Sequence, residues 1–191
     1  MRTVGCDDAG LDAAAAVLNA GGVAVIPTDT VYGLAAHPAF PAAVERLYTI
    51  KSRAAKKPIA LLASGIGAVE SFGAVLPPEA RRLALAHWPG ALTLVVPVKG
   101  GAFEGFRVPA HVWTRRLLER CSGALRVTSA NLSGRRAATD APQALAEVGL
   151  SADIVVDGGV SPGGEASAVL KVTDGGDVEI LRPGPGFPGK G

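Results

Sequence analysis

Short apolar runs alternate with helical patterns along this chain, and that alternation constrains its fold more than any other feature. It fits a β-sheet with helices packed on it. Asp12 to Ala20 is Ala-rich and stops at Gly21-Gly22, which predicts a helix with a glycine stop. Val23 to Ile26 predicts a short buried strand closed by Pro27. A helix is expected from Pro41, with Val44, Leu47 and Tyr48 on one face, running out near Lys51. Further strands are expected at Ile59 to Ala63, Ala91 to Val96, Ala124 to Val127 and Ile154 to Val156. Further helices are expected from Pro77-Pro78 to about Trp88, from His111 to Cys121 and from Pro142 to Val148. Val169 to Val172 and Val178 to Leu181 flank Asp174-Gly175-Gly176 as a closing hairpin. The expectation is one α/β domain over residues 1–191, with a core from about 12 to 184. The Pro/Gly-rich stretch from Pro183 onward is expected to be a loose tail.

Composition narrows the possibilities. Ala and Val supply much of the 48% hydrophobic content, so the core is expected to be built of small and β-branched side chains. The formal charge is only +2, so any site for a polyanion must come from local clustering. Cys6 and Cys121 lie far apart with no metal-ligand spacing, which argues against a zinc site or a disulfide framework. Two free thiols fit a reducing compartment. The first residues lack the apolar core of a signal peptide, and no apolar run approaches the ~20 residues of a membrane span. A cytoplasmic protein, with no membrane partner, is the expectation.

Three segments carry candidate chemistry. The first is Pro27-Thr28-Asp29-Thr30-Val31-Tyr32-Gly33-Leu34, just past the strand at Val23 to Ile26. It crowds two hydroxyls and a carboxylate before a phenol, and loops at strand ends are where α/β proteins place ligands. A Thr/Asp-capped turn, with Tyr32 a packed aromatic, accounts for it equally well. The second is Lys51-Ser52-Arg53-Ala54-Ala55-Lys56-Lys57-Pro58, with four cations in seven residues. Converging Arg and Lys donors suit a triphosphate, and a solvated helix end is the alternative. Lys56 is expected to be merely exposed. The third is Thr128-Ser129-Ala130-Asn131-Leu132-Ser133-Gly134, where Ser129 and Asn131 can meet phosphate or ribose oxygens, or simply form a turn. Arg135 and Arg136 behind it are expected on the surface. Arg107 sits in a strand-like context that asks for an anionic partner, either a ligand or a structural carboxylate. Ser167 and Arg182 are unremarkable alone. His37, His87 and His111 are scattered and suggest neither a base nor a metal ligand. The tail from Gly184 to Gly191 fails as a phosphate-binding loop, for lack of a hydroxyl residue and a surrounding strand and helix.

Taken together, these segments resemble the YrdC-like threonylcarbamoyl-AMP synthase family. The resemblance runs from about Asp12 to Gly184 and rests on the order of several motifs. They are the segment from Pro27 to Leu34, Lys51-x-Arg53 with Lys57-Pro58, Trp88-Pro89-Gly90, Gly90-Ala91-Leu92-Thr93, Arg107-Val108-Pro109, Thr128 to Gly134, and Leu181-Arg182-Pro183-Gly184. The resemblance implies an open, twisted mixed sheet flanked by helices, with a concave basic surface. It also implies a nucleotidyl transfer. L-threonine takes up bicarbonate as a carbamate, the carbamate attacks the α-phosphorus of ATP, and pyrophosphate leaves. A separate transferase complex then moves the threonylcarbamoyl group to the adenosine beside the anticodon of tRNAs reading codons that begin with A. By the same resemblance, Thr28, Thr30, Tyr32, Arg107 and Ser167 are threonine-binding. Lys51, Arg53, Lys57, Ser129, Asn131 and Arg182 are ATP-binding, with Lys51 and Arg53 catalytic. Mg²⁺ is expected with ATP, on no dedicated protein site.

Two departures stand out. The family often has Ser-Thr-Val where this chain has Ser167-Ala168-Val169, and Ala137 stands where longer relatives carry a hydroxyl. Longer relatives also carry a second domain, and this chain resembles the short form. The competing reading is a module that binds double-stranded RNA or tRNA without synthase activity. A carbamoyl-transfer domain of hydrogenase maturation proteins is a third, which would call for cysteine pairs and far more chain.

Overall fold

The computed structural model describes residues 2–52 and 58–189. Arg53, Lys56 and Lys57 lie outside the described residues. Among the described residues ten strands form one mixed sheet: β1 (Arg2–Gly5), β2 (Val23–Ile26), β3 (Gly33–Ala36), β4 (Leu61–Ala63), β5 (Leu92–Pro97), β6 (Phe103–Arg107), β7 (Ala124–Ser129), β8 (Ile154–Asp157), β9 (Ala168–Val172) and β10 (Val178–Arg182). Their order across the sheet is β1-β8-β2-β3-β7-β4-β6-β5-β9-β10. Among the described residues six α-helices flank it: α1 (Asp8–Asn19), α2 (Pro41–Ile50), α3 (Ile66–Ser71), α4 (Pro78–His87), α5 (Val112–Arg120) and α6 (Ala141–Glu147).

Strand alternation sorts the side chains into three cores. On one face, α1 and α5 bury Leu11, Leu18, Trp113 and Leu117 against Ala24, Ile26, Ala35, Leu62, Val127 and Ile154. On the other face, α2 and α6 cover Val23, Val25, Leu34 and Val155. There α3 and α4 also cover Leu61, Leu92, Leu94, Phe106 and Leu170. The alternate residues of those last strands, Thr93, Val95, Gly105 and Val169, therefore face the side of α1 and α5. They line an open cavity there instead of a core.

The strands at Val23–Ile26 and in the closing hairpin of β9 and β10 agree with expectation. Helix α1 begins four residues earlier than expected, because Asp7 caps it by accepting from the Gly10 N–H at 2.8 Å. Gly10 breaks the apolar period, and it is there because a Cβ would collide with the Gly5 carbonyl. Strand β3 escaped the sequence reading, since Gly and Ala have weak strand preference. It is held by pairing on both sides, Ile26 opposite Gly33 and Gly33 opposite Ser129. Strands β1 and β6 and helix α3 were likewise not expected as such. In the segment expected to be a loose tail, Gly184 and Phe187 form a bridge, and the Phe187 ring meets His87 edge-on at 4.9 Å. No helix among the described residues is long and apolar enough to cross a membrane.

Candidate active site

The cavity measures about 690 Å³ and draws its walls from distant parts of the chain. Thr30 and Val31 come from the turn between β2 and β3, and Thr128 and Ser129 from the end of β7. Thr93, Val95 and Gly105 come from β5 and β6, and Ala166, Ser167, Val169, Leu181 and Arg182 from the last hairpin and the chain before it.

The turn at Pro27 to Val31 is locked by Thr28, which is buried. Its Oγ1 donates to the Val31 carbonyl at 2.6 Å, accepts from the backbone of Thr30 and Val31, and lies 3.1 Å from Thr30 Oγ1. Thr28 is thus engaged within the turn, while Thr30 reaches the cavity. Arg107 crosses to meet this turn from the end of β6. Its Nη1 donates to Thr30 Oγ1 at 2.7 Å, its Nη2 to Asp29 Oδ1 at 2.6 Å, and its Nε to the Gly90 carbonyl at 2.9 Å. Both ion-pair side chains are nearly buried, at 7% and 12% exposure. Burial pulls the guanidinium below its usual value, and the Asp29 charge and hydrogen bond oppose that pull. The acceptor at Gly90 is set by the turn after α4, where the Gly90 N–H donates to the Val108 carbonyl at 2.8 Å and a Cβ would strike the His87 carbonyl.

Across the cavity, Ser167 Oγ and Thr93 Oγ1 lie 2.8 Å apart and both are buried. Arg182 donates from Nε and Nη2 to the Ser167 carbonyl, at 3.0 and 2.7 Å. A bulge between Ile180 and Arg182 turns both Leu181 and Arg182 to the cavity.

Lys51 caps the C-terminus of α2 and is only 1% exposed. Its Nζ donates to the carbonyls of Ser129 and Asn131, and its own carbonyl accepts from the Ser133 N–H at 3.0 Å. This cation therefore shapes the turn after β7. Asn131 is also buried, and its Nδ2 donates to the carbonyls of Leu132 and Arg135. Its Oδ1 has no hydrogen-bond partner among the described residues. Tyr32 is fully buried and is absent from the cavity wall; its hydroxyl donates to the Gly159 carbonyl at 2.7 Å and accepts from the Gly158 N–H at 2.9 Å. Arg135 and Arg136 are exposed, as expected, and Arg135 pairs with Glu147 at 3.2 Å.

The family model Sua5/YciO/YrdC, described as "Telomere recombination", matches residues 16–184. The chain belongs to the Sua5/YciO/YrdC family. A Mycobacterium tuberculosis relative is 34% identical over 186 residues, which cover 92% of this chain and 84% of that protein. The threonylcarbamoyl-AMP synthase of Pyrococcus abyssi is 33% identical over 184 residues, covering 92% of this chain and 54% of its relative. The crystal structure of P. abyssi Sua5 complexed with L-threonine superposes with a TM-score of 0.88 at 29% identity, over 96% of this chain and 57% of that one. The chain thus spans little more than half the length of the Pyrococcus protein.

In this Sua5/YciO/YrdC chain the cavity gathers Thr30, Ser129, Ser167 and Arg182 directly, with Arg107 bonded to Thr30 at its edge. Thr28, Tyr32, Lys51 and Asn131 sit behind the wall and hold its backbone. Three contributors were not picked out from sequence: Asp29 as the counter-ion of Arg107, Gly90 as the acceptor of its Nε, and Thr93 as the partner of Ser167. Thr93 carried a signal. It is a hydroxyl flanked by Leu92 and Leu94 in a strand, so alternation points it away from the core.

Proposed function

We propose that the chain is a threonylcarbamoyl-AMP synthase, forming threonylcarbamoyl-adenylate and pyrophosphate from L-threonine, bicarbonate and ATP. The observation that carries this reading is the meeting of Arg107 with Thr30 beside a largely apolar cavity whose wall also carries Thr93, Ser129, Ser167 and Arg182. The remaining Arg107 N–H groups suit a carboxylate, and Thr30, Thr93 and Ser167 suit the hydroxyl and amine of a small amino acid. Ser129 and Arg182, further along the same wall, face the nucleotide in this reading. Arg53 and Lys57, outside the described residues, supply phosphate contacts, and Lys51 holds the turn of Ser129 and Asn131 in place.

Chemistry at the α-phosphorus needs charge stabilisation and positioning more than a nucleophilic side chain, because the carbamate itself attacks. Held cations offset charge that builds on the nonbridging and leaving oxygens. Mg²⁺ is proposed to accompany the triphosphate, whose oxygens suit a hard divalent cation. The product would pass to a transferase that modifies tRNA.

The test is pyrophosphate release from ATP and Mg²⁺, with threonine and bicarbonate omitted in turn. Release that needs both supports the synthase. ATP-independent binding of double-stranded RNA, falling steeply with salt and without pyrophosphate release, would replace it with an RNA-binding role.

A further inference from the structure

The connection from β8 to β9, residues 158–167, runs between strands that are seven places apart in the sheet. Seven spacings of about 4.8 Å make about 34 Å. About eleven residue steps, at no more than about 3.6 Å each, reach about 40 Å when fully extended. The connection is not fully extended, since Gly159 and Gly164 turn through φ values of 74° and 66°. It runs from β8 past the turn between β2 and β3 to β9, as a strap tied to the rest of the chain along its course.

The strap is fastened at three points. Tyr32 Oη bonds both Gly158 N–H and the Gly159 carbonyl. The Ser161 N–H donates to the Thr139 carbonyl at 2.7 Å. The Gly163 N–H donates to the Asp29 carbonyl at 3.0 Å, and a Cβ on Gly163 would stand 2.7 Å from that oxygen and 3.0 Å from Thr30 Cα. Beyond Gly163 the strap delivers Ala166 and Ser167 to the cavity wall. Burial raises the Tyr32 pKa, the Gly158 hydrogen bond opposing, so the phenol keeps the proton it donates.

We infer that Tyr32 is a positioning residue: together with Gly163 it fastens the strap, and the strap sets the spacing between Thr30 with Arg107 on one wall and Ser167 on the other. The inference rests on the proposed function and refines it. Tyr32 touches no substrate; it governs how well the threonine half of the cavity fits its ligand. The nucleotide half is held by Lys51 through Ser129 and Asn131, and it meets Tyr32 through main chain alone, the Ala130 N–H donating to the Tyr32 carbonyl at 2.8 Å, so a change in the phenol leaves it in place.

The test compares the full chain with Tyr32→Phe, Gly163→Ala and, as a control on the exposed crest of the strap, Val160→Ser. Pyrophosphate release is titrated with threonine and with ATP separately. Hydrogen exchange of the amides from Gly158 to Gly163 is followed by mass spectrometry. Tyr32→Phe and Gly163→Ala are expected to raise KM for threonine about tenfold, the scale of one net hydrogen bond, with KM for ATP within about twofold. Strap amides should exchange about tenfold faster in both, and Val160→Ser should match the parent chain. If Tyr32→Phe does not fold, Gly163→Ala carries the test. A threonine KM within about twofold of the parent in a folded variant, or equal rises in both KM values, overturns the inference. A parent chain that releases no pyrophosphate overturns the proposed function instead. The strap is then judged by exchange alone, and unchanged protection in the variants overturns it.

Discussion

Arg107 is a cation with every nitrogen engaged: Gly90, Thr30 and Asp29 take one hydrogen bond each. Arg107→Ala would leave the Asp29 carboxylate without its counter-charge in a nearly buried site. A loss of about 3–5 kcal/mol in urea unfolding is expected, together with a fall of about 100-fold or more in kcat/KM for threonine. Arg107→Lys keeps the charge but not the fork, and should retain more stability than activity. Lys51→Met tests a different cation. Its ammonium bonds two carbonyls of the turn after β7, so removing it should cost about 1.5–3 kcal/mol per bond and raise KM for ATP. The need of Arg107 for an anion was legible from its strand-like context. That the anion is Asp29 was not, because the two are 78 positions apart and only the fold joins them. Lys51 was read as a phosphate contact, with a solvated helix end as the alternative; that it is buried on the turn after β7 was not legible, because the carbonyls that hold it are 78 and 80 positions away.

Elements were legible where their period was clean. Strands β2 and β5 and helices α2, α4 and α5 stand close to where the apolar pattern places them. Boundaries shifted where a side chain made contacts that sequence spacing does not show, as Asp7 does for α1. Asp153 also makes contacts that sequence spacing does not show, here without moving a boundary. It ties α2 to the start of β2, accepting from Arg46 Nη1 at 2.9 Å and from the Val23 N–H at 2.7 Å. The Arg46 hydrogen bond, first, and the Val23 N–H and Arg46 charge hold its carboxyl below its usual value, partial burial opposing. A depressed folded pKa gives stability that is present above the unfolded value and lost as pH falls through the folded one. Asp153→Asn should therefore cost about 1 kcal/mol at neutral pH, a modest figure because the pair is part-exposed. The difference from the parent should shrink as unfolding is measured at successively lower pH below about 4. Cys121, at the C-terminus of α5, is fully buried, and burial pushes its thiol up to about 11. Native protein treated with N-ethylmaleimide at pH 8 should be modified at the part-exposed Cys6 before Cys121, which should react fully only in denaturant.

The whole molecule is closed by a residue near its end. Phe187 packs on the core under α4 and against His87, well past the segment expected to be ordered. A single aromatic in a Pro/Gly-rich stretch carries no periodic signal, so only the packed structure reveals its anchor. Phe187→Ala should cost about 1–2 kcal/mol, less than a fully buried Phe, and lower Tm by about 2–8 °C in a chain of this size.

The strap gives the molecule a mechanical property. A chain moored at Tyr32 and at the turn of Thr30, and ending on the wall at Ser167, works as a tie between two sides of the cavity. Residue number between β8 and β9 is then a dimension of the molecule, much as span is for an arch. A chain one residue shorter there would draw those two sides together, and one residue longer would let them part. The breadth of the hollow would change in either case without any residue that lines it being replaced.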